Sequence, residues 1–360
     1  MSKVFVIHEN SEWLPPFADA LDVEGVAWEE WYLVEGALDL GTAPPEGVFY
    51  SRMSASSHTR GHVAAKDYTR SVLSWLESYG RIVVNGRRVV EMEMSKIDQH
   101  TALRAFGFDV PSTVAVIGRH DLKTRARGMV LPFITKHNQG GKGLGVRRFD
   151  RFEDFEDYVD GSDFECPVDG ITLLQEYVHP AEGYITRVEI VGGEFLYALT
   201  ADTSAGFELC PADECEVTSK SFELCPADAL PAASLFHWRE GFNDPIIDRY
   251  LEFCRYWDIG IAGFEFIETE DRRLVTYDIN TNTNYNPVVD EEAGRSGPVA
   301  VAQHLAALAN ELEADRIVTP SGPTRPRATR AASTRMYWDF LHDPEGHKPT
   351  RYPPPVVDQT

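Results

Sequence analysis

The segment Leu173–Leu199, LLQEYVHPAEGYITRVEIVGGEFLYAL, decides the fold. Leu173–Val178, Thr186–Val191 and Glu194–Ala198 each alternate or run apolar over strand-like lengths, and the paired glycines at 192–193 predict a hairpin turn between the last two. Upstream, a strand over Met129–Lys136 enters the glycine-rich stretch His137–Val146, HNQGGKGLGV, which emerges into another strand and the acidic helix Phe152–Val159. Downstream, Pro245–Trp257 has helical spacing, Gly263–Thr269 and Arg273–Ile279 form a second hairpin around Asp271, and Val299–Leu312 is a final amphipathic helix. The first ninety or so residues supply three short strands, Val4–Ile7, Gly47–Tyr50 and Arg81–Asn85. A helix over Val63–Ser78 puts Val63, Tyr68, Val72, Trp75 and Leu76 on one side. Ser95–Phe106 is a further helix, closed by Gly107 and stopped by Pro111. The pattern is α/β.

The 360 residues carry 57 acids against 34 Lys and Arg, a net charge of −23 that argues against a specific nucleic-acid partner. Such a chain suits an enzyme that gathers its few cations where an anionic ligand sits. Five cysteines suggest no disulfide scaffold. The start MSKVFVIHEN lacks a signal-peptide pattern, and no apolar run reaches the ~18 residues of a membrane span, so a cytoplasmic protein is expected. After Asp315 the composition shifts: Arg316–Arg335 holds five arginines and no acids and reads as a tether, followed by YWDFLHDP and YPPPV. The motif FELCPAD occurs twice, at Phe207–Asp213 and Phe222–Asp228, as a duplicated loop. Cys210, Cys215, Cys225 and His237 fit zinc spacing poorly.

The chemistry-bearing residues are ordered along the chain. Lys96 opens a helix after EMEMS, and Lys136 ends a strand just before the glycine loop, where Gly140, Gly141 and Gly143 would let backbone N–H groups approach a phosphate, with Lys142 among them. Lys142 is followed by Gly143, so this is no Walker A loop, and the GxGxG spacing ahead of a strand fails the dinucleotide fingerprint. Asp278 and Asn280, two residues apart, share one face of a strand, and Glu265 reaches the same point from the strand beside it. Three hard oxygen donors suit Mg²⁺. The other reading of Asp278 and Asn280 is that they merely begin the turn NTNTNYNP, whose Asn282 and Asn284 would either bind substrate or form local Asx turns. Arg52, Ser54, Ser56, His58 and Arg60 follow a strand of the N-terminal unit. The two arginines would clamp a carboxylate or phosphate, or the segment is a polar loop ahead of a helix.

In this order the motifs resemble the ATP-grasp superfamily, and within it the carboxylate–amine ligases typified by glutamate ligases that extend ribosomal proteins or cofactors, in the glutathione synthetase-like group. The resemblance runs from about Val48 to about Leu312. It implies an α+β ATP-grasp fold: a pre-ATP-grasp α/β domain (residues 1–92), a subdomain with the glycine-rich lid loop (93–178) and a subdomain with the metal site (179–315). A linker and tail (316–360) would follow. Nucleotide would lie between antiparallel sheets. It further implies ATP and Mg²⁺ as cofactors, with Lys96 and Lys136 on the phosphates and Gln175, Glu176 and Val178 as the adenine hinge. Glu182 would hold the ribose, Arg187 and Lys142 the transferring phosphate, and Glu265, Asp278 and Asn280 the metal. The implied reaction activates a substrate carboxylate as an acyl phosphate and joins it to an amine, an amino acid or small peptide; apart from the resemblance, His58 of the segment SRMSASSHTR is a candidate base for that amine. The duplicated FELCPAD segment stands where the glutamate ligases carry an Asn-Leu-His-Arg-Gly-Gly acceptor loop, so substrate identity does not transfer, and YITR lacks their Asp before the arginine, which leaves the ribose contact open. Relatives are often homo-oligomers. A small-molecule kinase, an ester-forming peptide cyclase and a non-catalytic nucleotide-binding scaffold remain as alternatives.

Overall fold

A computed structural model describes residues 2–141, 143, 145–203 and 235–318. Lys142, both FELCPAD copies, the three cysteines weighed for zinc and the tail beyond 318 lie outside the described residues.

The first sheet contains β1 (Val4–His8), β2 (Trp28–Tyr32), β3 (Val48–Arg52) and β4 (Ile82–Val84), all parallel in the order β2-β1-β3-β4. Every residue of β1 and β3 is buried, as expected of parallel strands covered on both faces. Helix α1 (Pro15–Val23) starts on two prolines, which lose no hydrogen bond in a first turn. Helix α2 (Ala65–Ser78) buries Ala65, Thr69, Val72, Leu73 and Leu76. Val63, expected on that face, precedes the helix and is exposed. The edge strand β2, WEEWY, escapes the sequence pattern because its charged centre faces solvent.

Helix α3 (Arg87–Glu93) leads into α4 (Lys96–Ala105), whose N-cap Ser95 accepts from the N–H of Asp98 at 3.2 Å. The second sheet, antiparallel, contains β5 (Thr113–Ile117), β6 (Phe133–His137), β7 (Arg147–Phe149) and β8 (Ile171–Glu176) in the order β5-β8-β6-β7. Helices α5 (Leu122–Ala126) and α6 (Phe152–Asp160) cover one face, enclosing Phe133, Phe149, Phe155 and Leu174. By strand alternation Ile134, Lys136 and Gln175 project from the other face.

The third sheet, also antiparallel, holds β9 (Tyr184–Val191), β10 (Glu194–Asp202), β11 (Phe236–Trp238), β12 (Ile261–Glu268) and β13 (Leu274–Asn280) in the order β11-β10-β9-β12-β13. Gly192 and Gly193 take φ of 62° and 79°, the left-handed pair that a two-residue hairpin requires. Helix α7 (Ile246–Trp257) packs Tyr250 and Phe253 against Phe264 on one face. The short α8 (Pro287–Ala293) precedes α9 (Gly297–Val318), which lies between this sheet and the first one, joining Val301 and Leu305 to Val4, Val6 and Tyr50 in one core. Among the described residues no helix is long and apolar enough to cross a membrane.

Candidate active site

A cavity opens between the second and third sheets and is closed at one end by the loops that follow the strands of the first. Lys96, Lys136, Arg187, Glu265, Asp278 and Asn280 all line it. So do Gly140, Gly141 and Gly143 of the loop, and Gln175, Glu176 and Val178 of the segment leaving β8. Ser54, Ser56, Asn282 and Asn284 line the end nearest the first sheet.

The charged groups are interlocked. Lys96 donates to Oδ1 of Asp278 at 2.5 Å, and Lys136 Nζ stands 3.8 Å from Oδ2 of the same carboxylate. Burial alone would raise the pKa of Asp278, but the Lys136 and Lys96 ammonium groups outweigh it and hold the carboxyl well below the usual range. Burial also opposes charge on Lys96, yet Asp278 prevails and its pKa rises. For Lys136 burial wins: with Lys96 adding like-charge repulsion against the attraction of Asp278, its pKa is pushed down to about 8.

Glu265 and Asp278 face each other in register across β12 and β13, and a bulge follows at once because Phe266 pairs with Thr276 and skips Tyr277. A bulge re-aims side chains, and here Tyr277 and Asp278 both line the cavity although they are consecutive. The Tyr277 hydroxyl donates to Oε2 of Glu265 at 2.8 Å, and the Asn280 amide donates to Oε1 at 3.0 Å. Arg187 Nη1 also reaches that Oε1, at 3.1 Å, while its Nε donates to Glu189 at 2.6 Å and its Nη2 to Thr283. Gly263 makes room for this guanidinium, since a Cβ there would lie 2.5 Å from Nε of Arg187.

The residues expected to bind substrate divide. Ser54 and Ser56 share a hydrogen bond of 2.8 Å at the cavity. Arg52 does not offer an anion clamp. Its guanidinium is buried 3.6 Å above the Phe17 ring and donates to the carbonyl of Trp13 and to Asn282 and Asn284, at 2.6 Å for the last. Arg60 is likewise engaged by the buried Glu9, which also bonds His62, and His58 bonds the Ala55 carbonyl at 3.2 Å without lining the cavity. A buried guanidinium needs partners, and for Arg52 this chain supplies its own. Glu182 is exposed on the loop before β9 and is not among the residues that line the cavity.

The sequence reading missed Trp13, Glu93, Gln99 and Tyr277, all of which line the cavity. A signal existed for Gln99: with Lys96 and His100 it forms a polar i, i+3, i+4 set on one helix face, and all three are buried.

The donors present fit a hard divalent cation, since Glu265, Asp278 and Asn280 offer only oxygen and amide groups. Among the described residues no cluster of three His, Cys, Asp or Glu side chains suits a metal. The buried Gln175 lines the cavity, and its Oε1 has no hydrogen-bond partner.

No family model matches the chain, and no curated protein does. Solved structures do. The ATP-grasp ligase PsnB complexed with a minimal precursor is 16% identical, with 85% of this chain and 99% of that one covered at a TM-score of 0.59. Another PsnB structure holds minimal precursor, Mg and ADP, at 14% identity, 85% and 97% coverage and a TM-score of 0.57. A RimK domain protein ATP-grasp from Sphaerobacter thermophilus DSM 20745 is 13% identical over 84% of this chain and 99% of its own, TM-score 0.59. The D-cycloserine synthetase DcsG is 15% identical over 86% and 99%, TM-score 0.57. The class defined by three sheets and a cavity between the antiparallel two is therefore the ATP-grasp fold. This chain has that fold along most of its length.

Proposed function

We infer that the chain is an ATP-dependent ligase that couples a carboxylate to an amine. One observation carries the reading: two buried lysines from different elements, Lys96 and Lys136, converge on one aspartate at a cavity between antiparallel sheets. Burying two ammonium groups beside each other is costly, and a polyphosphate entering the cavity would give both a better partner than a single carboxylate.

In this reading Lys96, Lys136 and the N–H groups of Gly140, Gly141 and Gly143 bind the phosphates, with Lys142 assigned to the same task. Gln175, Glu176 and Val178 hold the base. Glu265, Asp278 and Asn280 would hold Mg²⁺, which would neutralise phosphate charge. Arg187, fixed by Glu189 and Glu265, orients the terminal phosphate. The chemistry then needs positioning and charge neutralisation more than a nucleophilic side chain. A carboxylate oxygen attacks the γ-phosphorus and ADP leaves; the amine nitrogen attacks the acyl carbon, phosphate departs with that oxygen, and the amine loses a proton. Exclusion of water falls to the glycine loop, tied at its entry by Gln139, which donates to the Ala55 carbonyl at 3.3 Å and accepts from Lys66 at 2.7 Å.

Ser54, Ser56, Asn282 and Asn284 are the polar groups for the acid and amine. An amino acid or peptide is the substrate class, in line with the precursor bound by PsnB. The experiment is a screen of amino acids and peptides for ADP release. Release that requires Mg²⁺, an acid and an amine together supports the ligase. Release with no amine acceptor makes the chain a kinase or an ester-forming cyclase, and failure to bind ATP removes catalysis altogether.

A further inference from the structure

Among the described residues β13 is the last strand of its sheet, and its outer edge meets only an isolated bridge between Val275 and Asp109. An unpaired edge presents N–H and C=O groups that must find partners. Along β13 the partners are one loop carbonyl and a row of side chains. The N–H of Thr276 donates to the Asp109 carbonyl at 2.9 Å. The Tyr277 carbonyl accepts from Nε2 of His100 at 3.0 Å. Gln99 pairs with both groups of Ile279, its Oε1 accepting the N–H at 3.1 Å and its Nε2 donating to the carbonyl at 2.9 Å. Just past the strand, the N–H of Thr281 donates to Glu93 at 2.7 Å.

Side chains of α3 and α4 thus stand in for a sixth strand. They are themselves held: Gln99 Nε2 also donates to the Met92 carbonyl at 3.1 Å, and His100 Nδ1 lies 3.3 Å from the Thr113 hydroxyl oxygen. The Tyr277 carbonyl can only accept, so it assigns a proton to Nε2 of His100. The start of α4 is pinned by Asn138, whose carbonyl accepts from Lys96 N–H at 3.1 Å and whose Oδ1 accepts from Ile97 N–H at 2.9 Å. Lys96, Gln99 and His100 project from one face, so the helix that reaches Asp278 also grips the backbone on either side of it.

That grip matters because of the bulge. On the inner edge of β13 the register with β12 breaks next to Glu265, where Tyr277 has no partner of its own. A locally disrupted ladder leaves the peptide orientation there underdetermined, and the outer edge is what remains to fix it. We propose that Gln99 and His100 are positioning residues of the cation and phosphate site. By completing the outer edge of β13 they hold the bulge and keep Asp278 and Asn280 turned into the cavity. The proposal rests on reading that cavity as a site for Mg²⁺ and ATP.

The test uses the full chain with Gln99→Met and His100→Leu, and with His100→Gln as the conservative variant, because its amide can still donate to the Tyr277 carbonyl. Two readouts separate positioning from mere stability. Exchange of the Ile279 amide hydrogen in the nucleotide-free protein should quicken at least about tenfold in Gln99→Met. Binding of a non-hydrolysable ATP analogue, followed by calorimetry, should weaken about tenfold with Mg²⁺ in Gln99→Met and His100→Leu. With EDTA it should change less than about twofold, because the lysines remain, and His100→Gln should behave as the parent chain. Unchanged Mg²⁺-dependent binding, or equal losses with Mg²⁺ and EDTA that follow a fall in melting temperature, would overturn the proposal. If the parent chain binds no analogue, the functional reading itself has failed, which is a different result.

Discussion

The ammonium of Lys96 lies 2.5 Å from Oδ1 of Asp278, a contact between residues 182 positions apart with both side chains largely shielded from water. Buried ion pairs add little net stability over apolar residues of similar size, but breaking one is expensive. A second ammonium from Lys136 beside the same carboxylate makes the arrangement still harder to explain as fold maintenance.

Asp278→Asn should therefore cost stability as well as function. Lys96 and Lys136 would face each other without the carboxylate they share, and unfolding in denaturant should show a loss of about 3 kcal/mol. Mg²⁺-dependent ADP release should fall on the order of a hundredfold or more.

Lys136 gives the pH dependence its sign. Burial sets its pKa at about 8 in the nucleotide-free protein, below the ordinary 10.5. A bound polyphosphate favours the ammonium, so the complex holds the proton to higher pH than the free protein does. Nucleotide affinity should then fall as pH rises through about 8, with proton uptake on binding near pH 9. The same group acts on folding in the opposite sense. Between pH 8 and 10.5 the unfolded chain binds more of this proton than the folded one, so this contribution to stability rises with pH. Calorimetric binding in buffers of differing ionisation enthalpy measures the uptake, and Lys136→Met should abolish it.

Gly263→Ala tests whether the position of Arg187 matters. The added methyl would come 2.5 Å from Nε and 2.7 Å from Nη2 of Arg187, so the guanidinium must leave Glu265 or Glu189. Turnover should drop about a hundredfold while nucleotide affinity, set by the lysines, changes little. Steady-state kinetics with ATP varied would resolve the two.

Arg52→Met removes a side chain that the first sheet sends into the loop beyond β13. Asn282 and Asn284 would lose their donor, and a loss of about 3 kcal/mol in denaturant unfolding is expected. The KM for the acid or amine should rise more than that for ATP, since Asn282 and Asn284 line the end of the cavity nearest the first sheet.

Most of the third sheet was legible in the sequence. The Gly192–Gly193 turn and the apolar alternation of 186–198 predicted the β9–β10 hairpin, and the spacing of Asp278 and Asn280 placed both on one face. The convergence of Lys96 and Lys136 followed from order along the chain, through family resemblance. What stayed hidden depends on contacts between distant segments. Arg52 looked like an anion clamp because nothing local shows that Asn284, 232 positions away, would occupy it. Asn85 carries no motif, yet at φ 56° its amide bridges the carbonyls of Ile261 and Thr281 and ties β4 to the site hairpin. The bulge at Tyr277 was invisible because strand alternation assumes an unbroken ladder.

The most direct test of the nucleotide site is a crystal structure of the chain with Mg²⁺ and a non-hydrolysable ATP analogue. The triphosphate should lie between the second and third sheets, with Lys96 and Lys136 each within hydrogen-bond distance of phosphate oxygens and the cation on Glu265, Asp278 and Asn280. A nucleotide bound elsewhere, or both lysines still held by Asp278 with no phosphate beside them, would contradict this placement.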